Sequence, residues 1–233
     1  SQSSRMTKIN QHNHSGGVTS KPVQTHVPFD RYLDEFSTTV RKVFKEAEPA
    51  DRSLLQRGIP KGVLTSVMDL NPLAVCIPEE YGGRGGRISE ILALLSAASY
   101  ESLALSLTLG INSGLFIQPV VKYAREEVRG PILDRFMKHR NMGGLMITEP
   151  GFGSDALNMQ TRFSEKDNHY HIRGMKHWAG LTGSANYWLL TARGESAGGE
   201  LRRDIDFFIC DVAQPGQEIV VEELFEKLAQ HQI

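Results

Sequence analysis

From Phe29 to Gln56 the apolar residues Phe29, Leu33, Phe36, Val40, Val43, Phe44 and Ala47 recur at intervals of three and four, with charged residues between them. That spacing lays one apolar stripe along an α-helix, and Pro49 marks its end. Gly62 to Leu70 predicts a second, shorter helix. Asn71 to Gly86, with Pro72, Pro78 and the glycines 82, 83, 85 and 86, reads as a long loop. Ser89 opens a third helix with Glu90 in its first turn. Ile91, Leu92, Leu94, Leu95 and Ala98 make it apolar on most sides, as for a helix in the middle of a bundle. Val121 to Glu127 and Pro131 to His139 are charged and helical in period.

The period changes at Gly143-Gly144. Beyond it the apolar residues come in short runs, Leu145 to Ile147, Tyr170 to Ile172, Tyr187 to Ala192 and Phe207 to Val212, which predict strands. Asp167-Asn168, Gly194, Gly198-Gly199 and Pro215-Gly216 mark turns between them. The fold class expected is α+β: a disordered tail over 1–28, an α-helical domain over 29–142, and a β-barrel-like or sandwich domain over 143–233, incomplete in the sense that further strands are expected to follow. Ser102 to Val121 carries no charge and has the length of a membrane span. Ser102, Ser106, Thr108, Asn112, Ser113 and Gln118 interrupt it, Gly110, Gly114 and Pro119 break it, and it reads as a helix buried in a soluble bundle.

Charge and composition narrow the function. The chain has 233 residues, with 26 Lys plus Arg against 27 Asp plus Glu, so no general basic field favours nucleic acid. Its 2 cysteines, Cys76 and Cys210, lie too far apart in the chain to suggest a disulfide framework or a zinc cluster, and fit a reducing, cytoplasmic setting. The first twenty residues contain no apolar block of the signal-peptide kind, and His12, His14 and His26 read as tail residues.

The common catalytic signatures are missing. There is no phosphate loop with its lysine, no dinucleotide-binding Gly-x-Gly-x-x-Gly after a strand, no Gly-x-Ser-x-Gly elbow and no His-Glu-x-x-His. His169 and His171 share one strand face, and two exposed strand residues explain them as well as a metal site does; no metal is expected. The informative segment is Met146 to Asp155, where a strand runs into a turn of Pro150, Gly151 and Gly153 followed by Ser154 and Asp155. Such a turn can aim successive N–H groups and a hydroxyl at an anion such as a pyrophosphate, or be an ordinary β-turn.

These residues resemble the acyl-CoA dehydrogenases, flavoenzymes that oxidise the α,β carbon–carbon bond of acyl thioesters. The family's Thr-Glu-Pro-x-x-Gly-Ser-Asp stands ungapped at Thr148 to Asp155, with Thr161 following. Its strand, glycine and Lys-x-Trp stand at Tyr170 to Trp178, through Gly174 and Lys176. Ala185-Asn186 and the strand after it, and Ile77 to Gly85, are further echoes.

The resemblance implies an FAD site built from Leu145, Met146, Ile147 and Thr148 along the ring, Gly153 and Ser154 at the pyrophosphate, and Trp178 covering the flavin. Ser154 also falls where the family meets the pantetheine of the thioester substrate. Ser99, Tyr100, Leu103 and Leu107 either line an acyl pocket or merely pack. After Trp178 the family's Thr/Ser and Asn are replaced by Gly180 and Leu181; the Gly180 N–H or the Thr182 hydroxyl would have to serve the flavin instead. The family's catalytic glutamate belongs to a C-terminal helical bundle that would lie beyond Ile233, so no catalytic residue is assigned and a fragment of a longer enzyme is expected.

The activity that the resemblance implies is dehydrogenation of an acyl-CoA or carrier-protein thioester in fatty acid metabolism. An electron-accepting flavoprotein would be the partner and a homo-oligomer the assembly. The alternatives are a non-catalytic dehydrogenase-like assembly protein and a flavin monooxygenase or nitroalkane oxidase of the same fold.

Overall fold

The structure, a computed structural model, describes residues 4–7, 27–47, 59–217 and 219–220. The expectations that concern His12, His14, His26 and residues 48–56 lie outside the described residues, as does the end of the expected β-domain from residue 221 on.

Helix α1 spans Phe29–Glu46 and buries Tyr32, Phe36 and Val40, one residue per turn, as its apolar spacing requires. Helix α2, Lys61–Asp69, buries Val63, Val67 and Met68. The expected loop over 71–86 contains two short 3₁₀ turns, Pro72–Cys76 and Glu79–Tyr81. Its glycines fold the segment back on itself: the N–H groups of Arg84, Gly85 and Gly86 donate to the carbonyls of Ala74, Ile77 and Val75. A β-carbon on Gly83 would lie 2.0 Å from the Ile77 carbonyl oxygen. Arg84 then stacks over the Tyr32 ring at 4.7 Å and ties this loop to α1.

Helix α3, Ile88–Glu101, buries Ile91, Leu94 and Ala98, but Ile88 and Leu92 are each 60% exposed. A place in the middle of a bundle is therefore corrected to a helix with one buried and one open face. Ser102 caps the next helix, its hydroxyl accepting the Leu105 N–H at 3.2 Å. That helix runs as α4, Leu103–Gly110, then a π-helical segment, Ile111–Ile117, then α5, Gln118–Tyr123. Gly110, Gly114 and Pro119 do not break it, contrary to expectation: the backbone stays right-handed helical at Gly110, Ile117 and Gln118 as the π-helical segment passes into α5. Leu103–Tyr123 is long and apolar enough to cross a membrane; Leu105, Leu109, Phe116, Ile117 and Val120 spend that apolar surface on the protein core. Helix α6, Glu126–His139, completes the helical part.

The strands are β1 Ser4–Thr7, β2 Gly143–Met146, β3 Arg162–Lys166, β4 His169–Arg173, β5 Tyr187–Glu195 and β6 Leu201–Asp211. Among the described residues they form one six-stranded mixed sheet in the order β1-β4-β3-β5-β2, with β6 on the other edge of β5. β2 and β3 run parallel to β5, one beside its first half and one beside its second, while the β3–β4 and β5–β6 pairs are antiparallel. The apolar pattern gives no sign of β3, since only Phe163 of its residues is buried. Within the expected tail, Ser4–Thr7 adds an antiparallel edge strand to β4. Its polar composition gives no strand signal; the open edge of β4 supplies the backbone partners.

Helices and sheet share one core. Phe116 and Phe136 stack at 5.4 Å between ring centres, and both meet Tyr187 of β5 at 6.1 Å. Gly143 and Gly144 open β2 where Phe116 and Trp188 press in: a β-carbon would lie 2.4 Å from the Phe116 ring at Gly143 and 2.6 Å from Trp188 at Gly144. Arg135 of α6 donates to the Tyr187 hydroxyl at 2.7 Å and to Asp211 at 3.0 Å.

Candidate functional site

Strand β2 delivers Leu145 and Met146 into Ile147 and Thr148, after which Glu149-Pro150-Gly151-Phe152 makes a tight turn. The Phe152 N–H donates to the Glu149 carbonyl at 3.0 Å, and Gly151 takes φ 81°, as the third position of a turn with proline second demands. Gly153 and Ser154 follow on the surface. Neither a positive φ nor a neighbouring atom requires glycine at position 153: a β-carbon there would meet nothing within 4 Å. Space beside this turn is thus open to a group approaching its backbone closely.

The second motif is brought against the first. The His177 N–H donates to the Thr148 carbonyl at 2.8 Å, and the Lys176 ammonium enters the protein beneath the turn. It donates to Glu149 Oε1 at 2.8 Å, to Thr191 Oγ1 at 3.1 Å and to the Ile147 carbonyl at 3.2 Å. The side chains of this pair are 5% and 4% exposed. Glu149 also accepts the N–H of Thr161 at 3.0 Å and of Gln160 at 2.5 Å. Burial works to raise the Glu149 carboxyl, but Lys176 and the hydrogen bonds from residues 160 and 161 outweigh it and hold the group below its ordinary value. Burial lowers the Lys176 ammonium in spite of Glu149.

Trp178 follows with φ 59°, in the left-handed region that a bulky residue rarely enters. Its indole is 53% exposed and stacks on the His177 ring at 4.4 Å. It is not a core tryptophan; that place belongs to Trp188, buried with Leu181 and Cys210. Gly180 is half-buried, and Leu181, at φ 70°, turns its side chain into the protein. The Thr182 Oγ1 donates to the Ala179 carbonyl at 2.5 Å within its own turn.

Leu145, Met146, Ile147, Thr148 and Trp178 therefore gather at the C-terminal end of β2, with Gly153 and Ser154 on the turn that leaves it. Tyr100 and Leu103 do not enclose a pocket among the described residues; they are 85% and 56% exposed. Among the described residues, His169 and His171 included, no group of three or more His, Cys, Asp or Glu has metal-binding geometry. A shallow cavity of about 320 Å³ lies on the β3–β4 hairpin, lined by Lys166, His171, Arg173 and Glu195, and includes none of Leu145 to Thr148, Gly153, Ser154, Trp178 and Gly180. Sequence reasoning missed the Glu149–Lys176 pair. Each residue stands within a motif, and only the fold shows that two motifs 27 residues apart meet as an ion pair.

A helical part joined through one core to a mixed sheet, with a glycine-rich turn and an exposed tryptophan at the end of its second strand, is an acyl-CoA dehydrogenase architecture. The family model for the acyl-CoA dehydrogenase N-terminal domain matches residues 32–140, and that for the middle domain matches residues 144–233. The chain belongs to the acyl-CoA dehydrogenase family.

It is 29% identical over 212 residues to the mitochondrial isovaleryl-CoA dehydrogenase of Pongo abelii, covering 86% of this chain and 50% of that protein. Among solved structures it resembles a glutaryl-CoA dehydrogenase from Mycobacterium smegmatis in complex with FADH2, with a TM-score of 0.68 and 18% identity, over 87% of this chain and 52% of that one. It also resembles butyryl-CoA dehydrogenase from Megasphaera elsdenii, with a TM-score of 0.66 and 19% identity, over 83% and 51%. The chain spans about half the length of the relatives it matches.

Proposed function

We propose that this chain forms the flavin- and thioester-facing part of an FAD-dependent dehydrogenase that oxidises the α,β bond of an acyl-CoA or acyl-carrier thioester. The observation that carries the reading is the meeting of Thr148 and Trp178, locked by the 2.8 Å bond from the His177 N–H to the Thr148 carbonyl. The residues present fit the cofactor: an exposed indole beside a strand end, and an open turn at Gly153 where a close backbone approach costs nothing. Bound there, FAD supplies the acceptor for the hydride that leaves the β-carbon of the thioester.

In this proposal Leu145, Met146, Ile147 and Thr148 bind and orient the flavin ring, and Gly153 and Ser154 hold the pyrophosphate. Trp178 excludes water from one face, a stacking contact of about 1 kcal/mol. Ser154 also meets the thioester, and the Gly180 N–H replaces the family's hydroxyl. The α-proton is not assigned to Glu149, whose oxygens are occupied by Lys176 and two backbone N–H groups, nor to Glu101, which pairs with Arg41 at 2.9 Å. A flavoprotein electron acceptor, a homo-oligomeric assembly and a cytoplasmic setting belong to the same proposal.

A second reading, a dehydrogenase-like protein that keeps the scaffold without turnover, is favoured by Gly180 and by Leu181, whose side chain is committed to the core. Visible absorption of the purified chain after FAD addition and gel filtration separates the two. A flavin band that stays with the protein through gel filtration is expected under the first reading. A folded chain that retains no flavin would leave only the scaffold reading.

A further inference from the structure

We propose that Glu149 and Lys176 act as a positioning clamp that holds Trp178 in its left-handed backbone conformation, its indole turned outward beside the end of β2, and thereby sets the seat of the flavin. This rests on the flavin reading above and adds two residues to it.

A buried ion pair is a poor device for stability alone, because desolvating two charges offsets most of their attraction, and apolar residues of similar volume serve as well or better. What such a pair does supply is a single permitted geometry. Here it joins three separate segments: the exit of β2 through the Ile147 carbonyl and Glu149, the middle of β5 through Thr191, and the segment that carries Lys176 itself. Glu149 is fixed in turn by the N–H groups of Gln160 and Thr161. The neighbouring Gly174 is packed so closely on Thr161 that a β-carbon would lie 2.2 Å from its hydroxyl oxygen.

Two residues after this anchor the backbone enters the left-handed region at Trp178, and it does so again at Leu181. An aromatic residue relaxes from that conformation unless its surroundings over-determine it. The surroundings do so from both sides. Downstream, Leu181 is buried and its carbonyl accepts the N–H groups of Ser184 at 2.9 Å and Ala185 at 3.0 Å. Upstream, the hold consists of the His177 bond to Thr148 and the buried Lys176 ammonium. Trp178 is thus strung between two buried side chains, with its half-exposed indole against the His177 ring.

The test measures FAD affinity and acrylamide quenching of tryptophan fluorescence in the wild type, K176M, W178F and K176M/W178F. Trp188, 3% exposed, stays protected while the chain is folded, so a change in quenching that W178F abolishes belongs to Trp178. K176M is expected to change Trp178 quenching and to weaken FAD binding about tenfold or more. In the double variant the loss should not exceed that of W178F, because Lys176 acts through Trp178. If K176M exposes Trp188, Glu149→Gln, which keeps volume and one accepting oxygen while removing the charge, carries the same expectation.

Unchanged Trp178 quenching in a folded variant, or losses of K176M and W178F that multiply, would overturn the clamp. So would unfolding of both K176M and E149Q, which would show a pair needed by the whole fold. A folded wild type that binds no FAD would instead sink the flavin reading, with the quenching comparison still deciding whether the pair holds Trp178.

Discussion

Glu149 stands in the middle of a surface turn signature, yet its carboxylate points inward to Lys176 and to the N–H groups of residues 160 and 161. Because its folded value is depressed, the stability it contributes is fully present above the ordinary carboxylate value and is lost as pH falls through the folded one. Denaturation midpoints measured from pH 7 downward should therefore fall more steeply for the wild type than for Glu149→Gln. Removing Lys176 alone leaves a buried charge unpaired and is expected to cost about 3–5 kcal/mol, whereas replacing both members by apolar residues should recover most of it; urea midpoints decide. Gly144→Ala drives a β-carbon to 2.6 Å from Trp188, and a loss of about 1–3 kcal/mol is expected by the same measurement. The motif residues were legible in the sequence through their likeness to the family's patterns at Thr148 to Asp155 and Tyr170 to Trp178. The pairing of Glu149 with Lys176 was not, because nothing local to either residue says which charge it will meet.

At the scale of elements, the π-helical segment shows what a run of apolar residues conceals. Asn112, fully buried within it, donates to the Thr108 carbonyl at 2.8 Å and accepts the Gly143 N–H at 2.7 Å. The widened turn thus seats a side chain that fixes the first residue of β2, the strand leading to the site. Asn112→Leu leaves the Gly143 N–H buried without an acceptor, and a destabilisation of about 1–3 kcal/mol is expected. Hydrogen exchange should show lost protection concentrated at 143–146. The helical periods of α1 and α2 were readable because each buries one face against the core. β3 escaped notice because only Phe163 of its residues is buried and its backbone partners come from β4 and β5. For α3, apolar composition overstated burial: Ile88, Leu92 and Tyr100 remain exposed.

The whole molecule is held by a core that crosses the change in sequence pattern at Gly143. Phe116 and Phe136 of the helical part and Tyr187 and Leu189 of β5 belong to one buried cluster, so unfolding followed by far-UV circular dichroism and by fluorescence in W178F, where only Trp188 reports, should give coincident curves. Two separated transitions would mean that the helices and the sheet are stable independently. Arg135, half-exposed and bridging Tyr187 and Asp211, should contribute at most about 1 kcal/mol to that union by an alanine substitution. Cys76 and Cys210 are buried free thiols pushed up to about 12 by desolvation, so neither is a reactive nucleophile at neutral pH. By itself the sequence determined the succession of the helices and of most strands and the glycine-rich turn, because periodicity and turn chemistry are properties of neighbouring residues; its likeness to the family's patterns named the candidate site residues. Only the tertiary structure decided that the Thr148 turn meets Trp178, that Trp178 rather than Trp188 faces outward, and that Leu181 is spent on the core. Those outcomes depend on which distant segments share one buried volume, and burial is settled by the packing of the whole chain.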